Sequence, residues 1–182
     1  MRGGTDMIKT KRLTIAPFDL KYLDDYFNGF NEEITKFQWP DPFPSIDDAR
    51  NMLLDFISEM EHGETLFFSI LSKTGKFLGS VEIHGLTGDC PELGVWITES
   101  EQNNGYAYEA LAAVLDYVCT KYDKYVFFYE ADIRNTASIH LLHKLEEICE
   151  VVEQELELLT TDSGKKLELQ GYTVKIRTAV TR

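Results

Sequence analysis

The stretch from Pro91 to Leu115 limits what this chain can fold into more than any other. Pro91-Glu92-Leu93-Gly94-Val95-Trp96-Ile97-Thr98 reads as a strand, and the polar run Glu99 to Gly105 ends it. Ala107, Ala110, Leu111, Val114, Leu115 and Val118 then recur at helical spacing. A strand therefore feeds through a short loop into a helix start. The first turn of a helix carries unpaired amide donors and a partial positive charge, which suits a pyrophosphate. Gly105 and Ala107 keep that approach open, since larger side chains would stand between the phosphate and the backbone. Neither GxGxxG nor GxxxxGK occurs, so this is not a dinucleotide fingerprint or a P-loop. Taken alone, Asn103-Asn104-Gly105 reads equally well as a plain turn before a helix.

The remaining elements alternate around that segment. Arg12 to Phe18 predicts a strand, and Asp19 caps a helix carrying Leu20, Leu23 and Phe27. Three prolines in Trp39-Pro40-Asp41-Pro42-Phe43-Pro44 forbid regular structure. Ser45 and Asp48 resemble a capping box for a helix faced by Ile46, Ala49, Leu53, Phe56, Ile57 and Met60. Leu66 to Leu71 and Phe77 to His84 predict two strands around the turn Lys73 to Lys76. After the Pro91 to Leu115 segment, Tyr125 to Tyr129 predicts a strand. Asn135 caps a helix faced by Ser138, Leu141, Leu142 and Leu145. Val151 to Leu159 and Leu167 to Arg177 predict the last two strands. The order is an α/β (α+β) arrangement: a mixed sheet of about seven strands with helices on both faces. The first six residues predict a flexible leader, with Met7 an alternative start, and residues 7–182 a single domain.

Charge narrows the partners. The net charge of −13 repels phosphate backbones and anionic membranes, so neither nucleic acid nor membrane is expected as a partner. It mildly favours a cationic substrate. The three cysteines, Cys90, Cys119 and Cys149, are far apart and form no CxxC, which fits a reducing cytoplasm and no disulfide framework. His140 and His143 lie three apart on a helix, but no carboxylate or cysteine is arranged around them, so no metal is expected.

Three motifs in series change the weight of the loop. Pro91 to Ile97, then Gln102-x-x-Gly105-x-Ala107, then Asn135-Thr136-Ala137-Ser138 followed by Leu141 and Lys144 stand in the order and spacing of the GNAT N-acetyltransferases. The resemblance covers nearly the whole chain. Lys11-Arg12-Leu13 with Pro17, the Trp39 to Pro44 loop, and Gly79-Ser80 with His84-Gly85 further resemble the ribosomal-protein N-terminal acetyltransferase branch. The resemblance implies a mostly antiparallel central sheet splayed at its middle, with acetyl-CoA entering the gap. It implies that Val95 and Ile97 hydrogen-bond the pantetheine arm. Amides of Gln102, Asn103, Asn104, Gly105, Tyr106, Ala107 and Tyr108 then hold the pyrophosphate, while Asn135 and Ser138 flank the pantetheine and Lys144 lies on the donor side. The chain differs from many members of the family at four positions, of which Asn104 does not break the pattern. Leu142 occupies the place of a tyrosine acid, Glu146-Glu147 replaces a Gly-Phe, and Asn104 stands where many relatives have glycine.

Acetyl transfer to an amine needs a base for the ammonium, a donor for the developing oxyanion and a proton for the leaving thiolate. A backbone amide beside Val95 can be the oxyanion donor. Glu92 reads either as a strand-end glutamate, in solvent or paired with Lys or Arg, or as the base, since burying a carboxylate unpaired on a central strand is costly. The resemblance, whose pattern often has Glu here, makes it the expected base. It shares a strand face with Gly94 and Trp96. Ser138, or water, is the expected acid, since Leu142 supplies none. His84 and Glu82 are the next candidates for the base, and Phe37, Trp39 and Phe43 either wall the acceptor pocket or plug the core. The expected activity is direct acetyl transfer from acetyl-CoA to a primary amine: a peptide or protein N-terminus or a small amine. The alternative is a CoA-binding module without catalysis, acting as a sensor or interaction partner. A homodimer is open to either.

Overall fold

The computed structural model describes residues 6–177. Residues 1–5 of the expected leader lie outside the described residues. Asp6 is tied to the body of the protein: its amide donates to Tyr117 Oη at 3.1 Å and its carboxylate meets Lys121 at 2.7 Å.

The chain runs β1 (Ile8–Lys9), β2 (Leu13–Pro17), a 3-10 turn (Leu20–Tyr22), α1 (Leu23–Gly29), α2 (Glu32–Thr35) and α3 (Ile46–His62). It continues through β3 (Leu66–Ser72), β4 (Phe77–His84), β5 (Glu92–Ile97), α4 (Tyr106–Tyr122), β6 (Val126–Asp132), α5 (Thr136–Leu145), β7 (Cys149–Thr160) and β8 (Lys166–Ile176). The starts are set by local chemistry. Asp19 Oδ1 accepts from Lys21 N, Ser45 Oγ from Asp48 N, and Asn135 Oδ1 from Ser138 N, each satisfying an otherwise orphaned amide. Asn31 does the same for α2, a four-residue helix that is not among the expected elements, and a 3-10 turn at Glu99–Glu101 lies in the expected polar run.

All eight strands form one sheet, ordered β1-β2-β3-β4-β5-β6-β8-β7. The strand beyond the expected seven is β1, whose two residues pair with Thr14 and Ile15. Every neighbouring pair is antiparallel except β5 and β6. The two-residue period sorts side chains onto two faces. Leu66, Phe68 and Ile70 of β3 join Ala110, Leu111, Val114, Leu115 and Val118 of α4 and Leu141, Leu142 and Leu145 of α5. Phe67 faces the other way, with Tyr26 of α1, Ile34 of α2 and Ala49 and Leu53 of α3. The helices therefore cover both faces, as expected.

One glycine is fixed by close approach. Gly79 of β4 has φ +154°, and a Cβ built there would lie 2.0 Å from the Trp96 carbonyl oxygen and 2.9 Å from Ile97 Cα. Both obstacles are backbone of β5 and cannot swing away. Gly79→Ala is expected to cost roughly 3 kcal/mol or more, as strained backbone and overlap do elsewhere. Urea unfolding of wild type and variant measures it, and equal midpoints would refute the close packing of β4 on β5.

Candidate functional site in the gap between two parallel strands

β5 and β6 pair only at Glu92↔Phe128 and Leu93↔Tyr129. β6 stays paired with β8 as far as Asp132↔Leu169, and β5 stays paired with β4 as far as Ile97↔Gly79. From Gly94 onward the two strands part in the middle of the sheet. Their facing backbone groups have no ladder partner there, and buried amides and carbonyls do not stay unpaired without cost.

α4 begins at the edge of this gap. Asn103 and Gly105 both take positive φ, 61° and 75°, which turns the loop sharply into the helix. The Asn104 side chain, at the position where relatives have glycine, donates to the carbonyls of Glu101 and Gln102 at 3.0 and 3.2 Å and so holds the turn. Gly105 is the N-cap and has no side chain to accept from the first-turn amides. The amide end of α4 is thus left without the kind of cap that closes α3 and α5.

The acids near this end are neutralised. Glu109, in the first turn of α4, receives Thr10 Oγ1 at 2.6 Å, the Arg12 amide at 2.9 Å and Arg12 Nε at 2.6 Å. Burial works against its charge, but these donors hold the carboxyl below its usual range. Arg12 also donates to the Asn104 carbonyl at 2.8 Å and lies over the Tyr106 ring. Glu101 is bridged by Lys76 at 2.5 Å. Three cations, Lys36, Arg134 and Lys144, line the same space.

That space is a cavity of about 620 Å³. It collects Val95, Ile97, Gln102, Asn103, Asn104, Gly105, Tyr106, Ala107, Tyr108, Asn135, Ser138 and Lys144, all the donor-side residues singled out in the sequence. Three distant segments, β5, the start of α4 and the start of α5, meet there. The cavity also takes in residues that sequence spacing did not flag: Glu33, Ile34, Lys36 and Gln38 from α2 and its loop, and Arg134 and His140 from the α5 region. Asn31-Glu32-Glu33 is a cap followed by first-turn acids, and that signal was available for α2.

The loop from Lys36 to Pro44 is held over one side of the cavity. Lys165 Nζ, in the β7–β8 turn, reaches the carbonyls of Thr35 and Gln38 at 2.8 and 2.7 Å and Asp41 Oδ1 at 2.7 Å. The bond from Lys165, with help from Ser163, draws the Asp41 carboxyl down to about 2. The ion pair to Asp41 is therefore complete above the usual carboxylate range and is lost as pH falls through about 2, while the bonds from Lys165 to the two carbonyls do not depend on that proton. Of the three loop aromatics, Phe37 lines the cavity, Phe43 packs with Tyr26 and Phe30 in the core, and Trp39 is 66% exposed.

The expected catalytic pair is divided. Ser138 lines the cavity, half-buried, one turn into α5. Leu142, in place of a tyrosine, is buried in the core. Glu92 is exposed at the first position of β5 and does not line the cavity. Its cross-strand neighbour is His84. The face it shares with Gly94 and Trp96 is the one that also carries Glu82, whose carboxylate receives Ser80 Oγ at 2.7 Å and lies 3.2 Å from His84 Nε2. Glu147, in place of Gly-Phe, accepts from Tyr108 Oη at 3.2 Å, and α5 ends at Leu145. His143 faces Glu146, away from the cavity. Among the described residues no three His, Cys, Asp or Glu side chains stand together as a metal would need, and no helix is long and apolar enough to cross a membrane.

Known proteins resemble this chain in sequence or in fold. The N-acetyltransferase p20 of Bacillus licheniformis is 26% identical over 145 residues, 77% of this chain and 81% of that protein. The spermidine N-acetyltransferase of Vibrio cholerae, solved with CoA and spermine, superposes with a TM-score of 0.75 at 17% identity, over 91% of this chain and 97% of that one. RimJ of Mycobacterium smegmatis, solved with a CoA-disulfide, gives 0.75 at 18% identity, over 92% and 87%. The model of the acetyltransferase (GNAT) domain matches residues 12–146. That span holds the parted strands, the uncapped helix and the start of α5, and the chain belongs to the GNAT family of acetyltransferases.

Proposed function

We propose that this acetyltransferase moves the acetyl group of acetyl-CoA directly to a primary amine, either a peptide or protein N-terminus or a small amine. The observation that carries this reading is one cavity in which the gap between β5 and β6 meets the uncapped start of α4. Acetyl-CoA fits what is present there. Its pyrophosphate needs amide donors and a positive end, which Gly105 to Tyr108 offer. Its extended amide-bearing arm needs unpaired strand edges, which Val95 and Ile97 offer. Its remaining negative charge needs cations, and Lys36, Arg134 and Lys144 are at hand. Bound there, it supplies an activated acetyl thioester.

The protein's own groups do the rest. The β5 backbone beside Val95 donates to the oxygen on which charge develops. Ser138 lies on the donor side and offers a hydroxyl proton to the departing sulfur. Glu92, on the opposite face with Glu82 and His84, belongs to the acceptor side, where it draws a cationic amine toward its proton acceptor. Transfer without an acyl-enzyme is supported by the cavity lining, which contains none of the three cysteines. The similarity to a spermidine acetyltransferase and to RimJ supports both acceptor classes, and the acidic balance supports a cationic one. We extend the reading to residues 7–182 as a single domain acting in the cytoplasm, with a homodimer as one accessible state.

Three measurements test this. Gly105→Glu places a carboxylate at the pyrophosphate position and is expected to abolish CoA binding by calorimetry. Gly105→Ala, which carries the same positive φ without the charge, retains part of it. Equal affinity in wild type and Gly105→Glu would refute the placement. Initial rates with varied acetyl-CoA and amine, drawn from a panel of peptides, polyamines and aminoglycosides and followed by thiol release, should give intersecting plots. Parallel lines, or acetylated protein after acetyl-CoA alone, would refute direct transfer, and CoA binding without turnover on any amine would favour the non-catalytic module. Ser138→Ala should lower turnover at high as well as low pH, by less than the roughly 10²-fold of a full general acid, because a thiolate is already a fair leaving group. Unchanged rates would return that role to water.

A further inference from the structure

We propose that Glu82 takes the proton from the acceptor amine, and that His84 passes it to a second cavity that opens to solvent. The proposal deepens the acetyl-transfer reading and rests on it. Glu82 is opposite Gly94 in the β4–β5 ladder, and Gly94 is the first residue of β5 beyond its pairing with β6. Gly94 has no side chain, and its missing Cβ would lie 3.4 Å from Glu82 Oε2. Glu82, like Glu92, is not among the residues that line the donor cavity, but its carboxylate lies over β5 at the residue where pairing with β6 ends. Glu92, two residues earlier, sits where β5 and β6 are still paired, exposed to water.

Glu82 is also wired to an exit. Ser80 Oγ fixes one oxygen at 2.7 Å, which leaves the other toward His84 Nε2 at 3.2 Å. The imidazole packs against Phe56 of α3 and lines a cavity of about 530 Å³ with Glu59, His62, Glu64, Thr65 and Thr87. His62, Glu64 and Thr87 are exposed, so that cavity meets water. Every charged element around the imidazole favours the proton on it. Burial alone would lower its pKa, but the bond to Glu82 and the charges of Glu82, Glu92 on β5 and Glu59 on α3 raise it above the ordinary histidine value. Tyr26 of α1 faces Glu82 from the core side, and burial followed by that carboxylate keeps its hydroxyl protonated. Glu130 of β6 lies across the gap, where burial and then Glu92 and Glu157 raise its pKa. Among the described residues no hydrogen-bonded path leads from Glu130 comparable to the one through His84.

The step balances as follows. The ammonium gives one proton to Glu82, and the proton leaves through His84 to water. The freed lone pair forms the C–N bond to the acetyl carbon while the C–S bond breaks. Sulfur keeps that electron pair and takes the Ser138 hydroxyl proton, which the second nitrogen proton replaces.

The test compares Glu82→Gln, His84→Gln and Glu130→Gln with wild type. CoA binding by calorimetry, equal to wild type, shows that each variant is folded and that the donor side is intact. For an amine accepted by wild type, kcat/KM of Glu82→Gln is expected to fall about 10²–10⁴-fold near pH 7. The deficit should shrink as pH approaches the amine's own pKa, about 10 for an alkylamine and about 8 for a peptide N-terminus, where the free base needs no help. His84→Gln should lose less, with the same trend. A structural defect would lower the rate by one factor at every pH. A readout without acetyl-CoA is the imidazole titration of His84 by NMR, which should move down in Glu82→Gln. Wild-type rates in Glu82→Gln, a pH-independent deficit, the large loss appearing in Glu130→Gln instead, or an unmoved His84 titration would each overturn the pair's role. Intact CoA binding with no turnover by wild type on any amine would overturn the acetyl-transfer reading itself, and the pair's role with it.

Discussion

The parting of β5 from β6 is the constraint on which the rest of the site depends. A sheet of eight strands gains from every ladder it closes, yet here two central neighbours pair at two positions and then diverge. Each strand keeps its other neighbour, β4 or β8, so the gap is held open by complete ladders on both sides. Backbone amides and carbonyls within it must find partners outside the chain, in water or in a ligand with an extended arm. Because the connection from β5 to β6 passes through α4, the helix start falls at the mouth of the same gap. A strand edge and a helix N-terminus are thereby offered together.

Electrostatics divide the two sides of the gap. A chain of net charge −13 is a poor general host for a polyanion. Near the start of α4 the acids are cancelled one by one, Glu109 by Arg12 and Thr10, Glu101 by Lys76, and the cavity wall also carries Lys144, Lys36 beside Glu33 and Arg134 paired with Asp132. On the face beneath α3, Glu59, Glu82 and Glu92 gather around His84. Three carboxylates thus stand together where a cation, not a phosphate, is favoured.

The loop before α3 shows how distant segments complete such a site. Lys165, in the β7–β8 turn, holds Thr35, Gln38 and Asp41, so the end of the sheet anchors a segment more than a hundred residues earlier. Phe37 then reaches the cavity wall with Arg134 over its ring, while Phe43 is locked among Tyr26 and Phe30.

Much of this was legible in the sequence because it is local. The α4 stripe of Ala110, Leu111, Val114, Leu115 and Val118, the caps at Asp19, Ser45 and Asn135, and the strand alternation of β3 depend on residues a few positions apart. The loop Gln102 to Ala107 was legible too, since its positive-φ positions and its open helix start are properties of consecutive residues. Long-range pairing was not. The two residues of β1 carry too little pattern to be read as a strand. Nothing near Lys165 announces Asp41, and nothing near Arg12 announces Glu109. The same holds for the carboxylate beside the gap. Alternation places Glu92 and Glu82 on one face, but register alone sets Glu82 over Gly94, where the ladder ends, and leaves Glu92 exposed where it still holds. Sequence by itself determined the longer strands and helices, though not β1 or α2, and which loop opens a helix. Tertiary structure decided where β5 leaves β6 and which side chains stand there, because register between strands is fixed by packing across the whole sheet and not by neighbours along the chain.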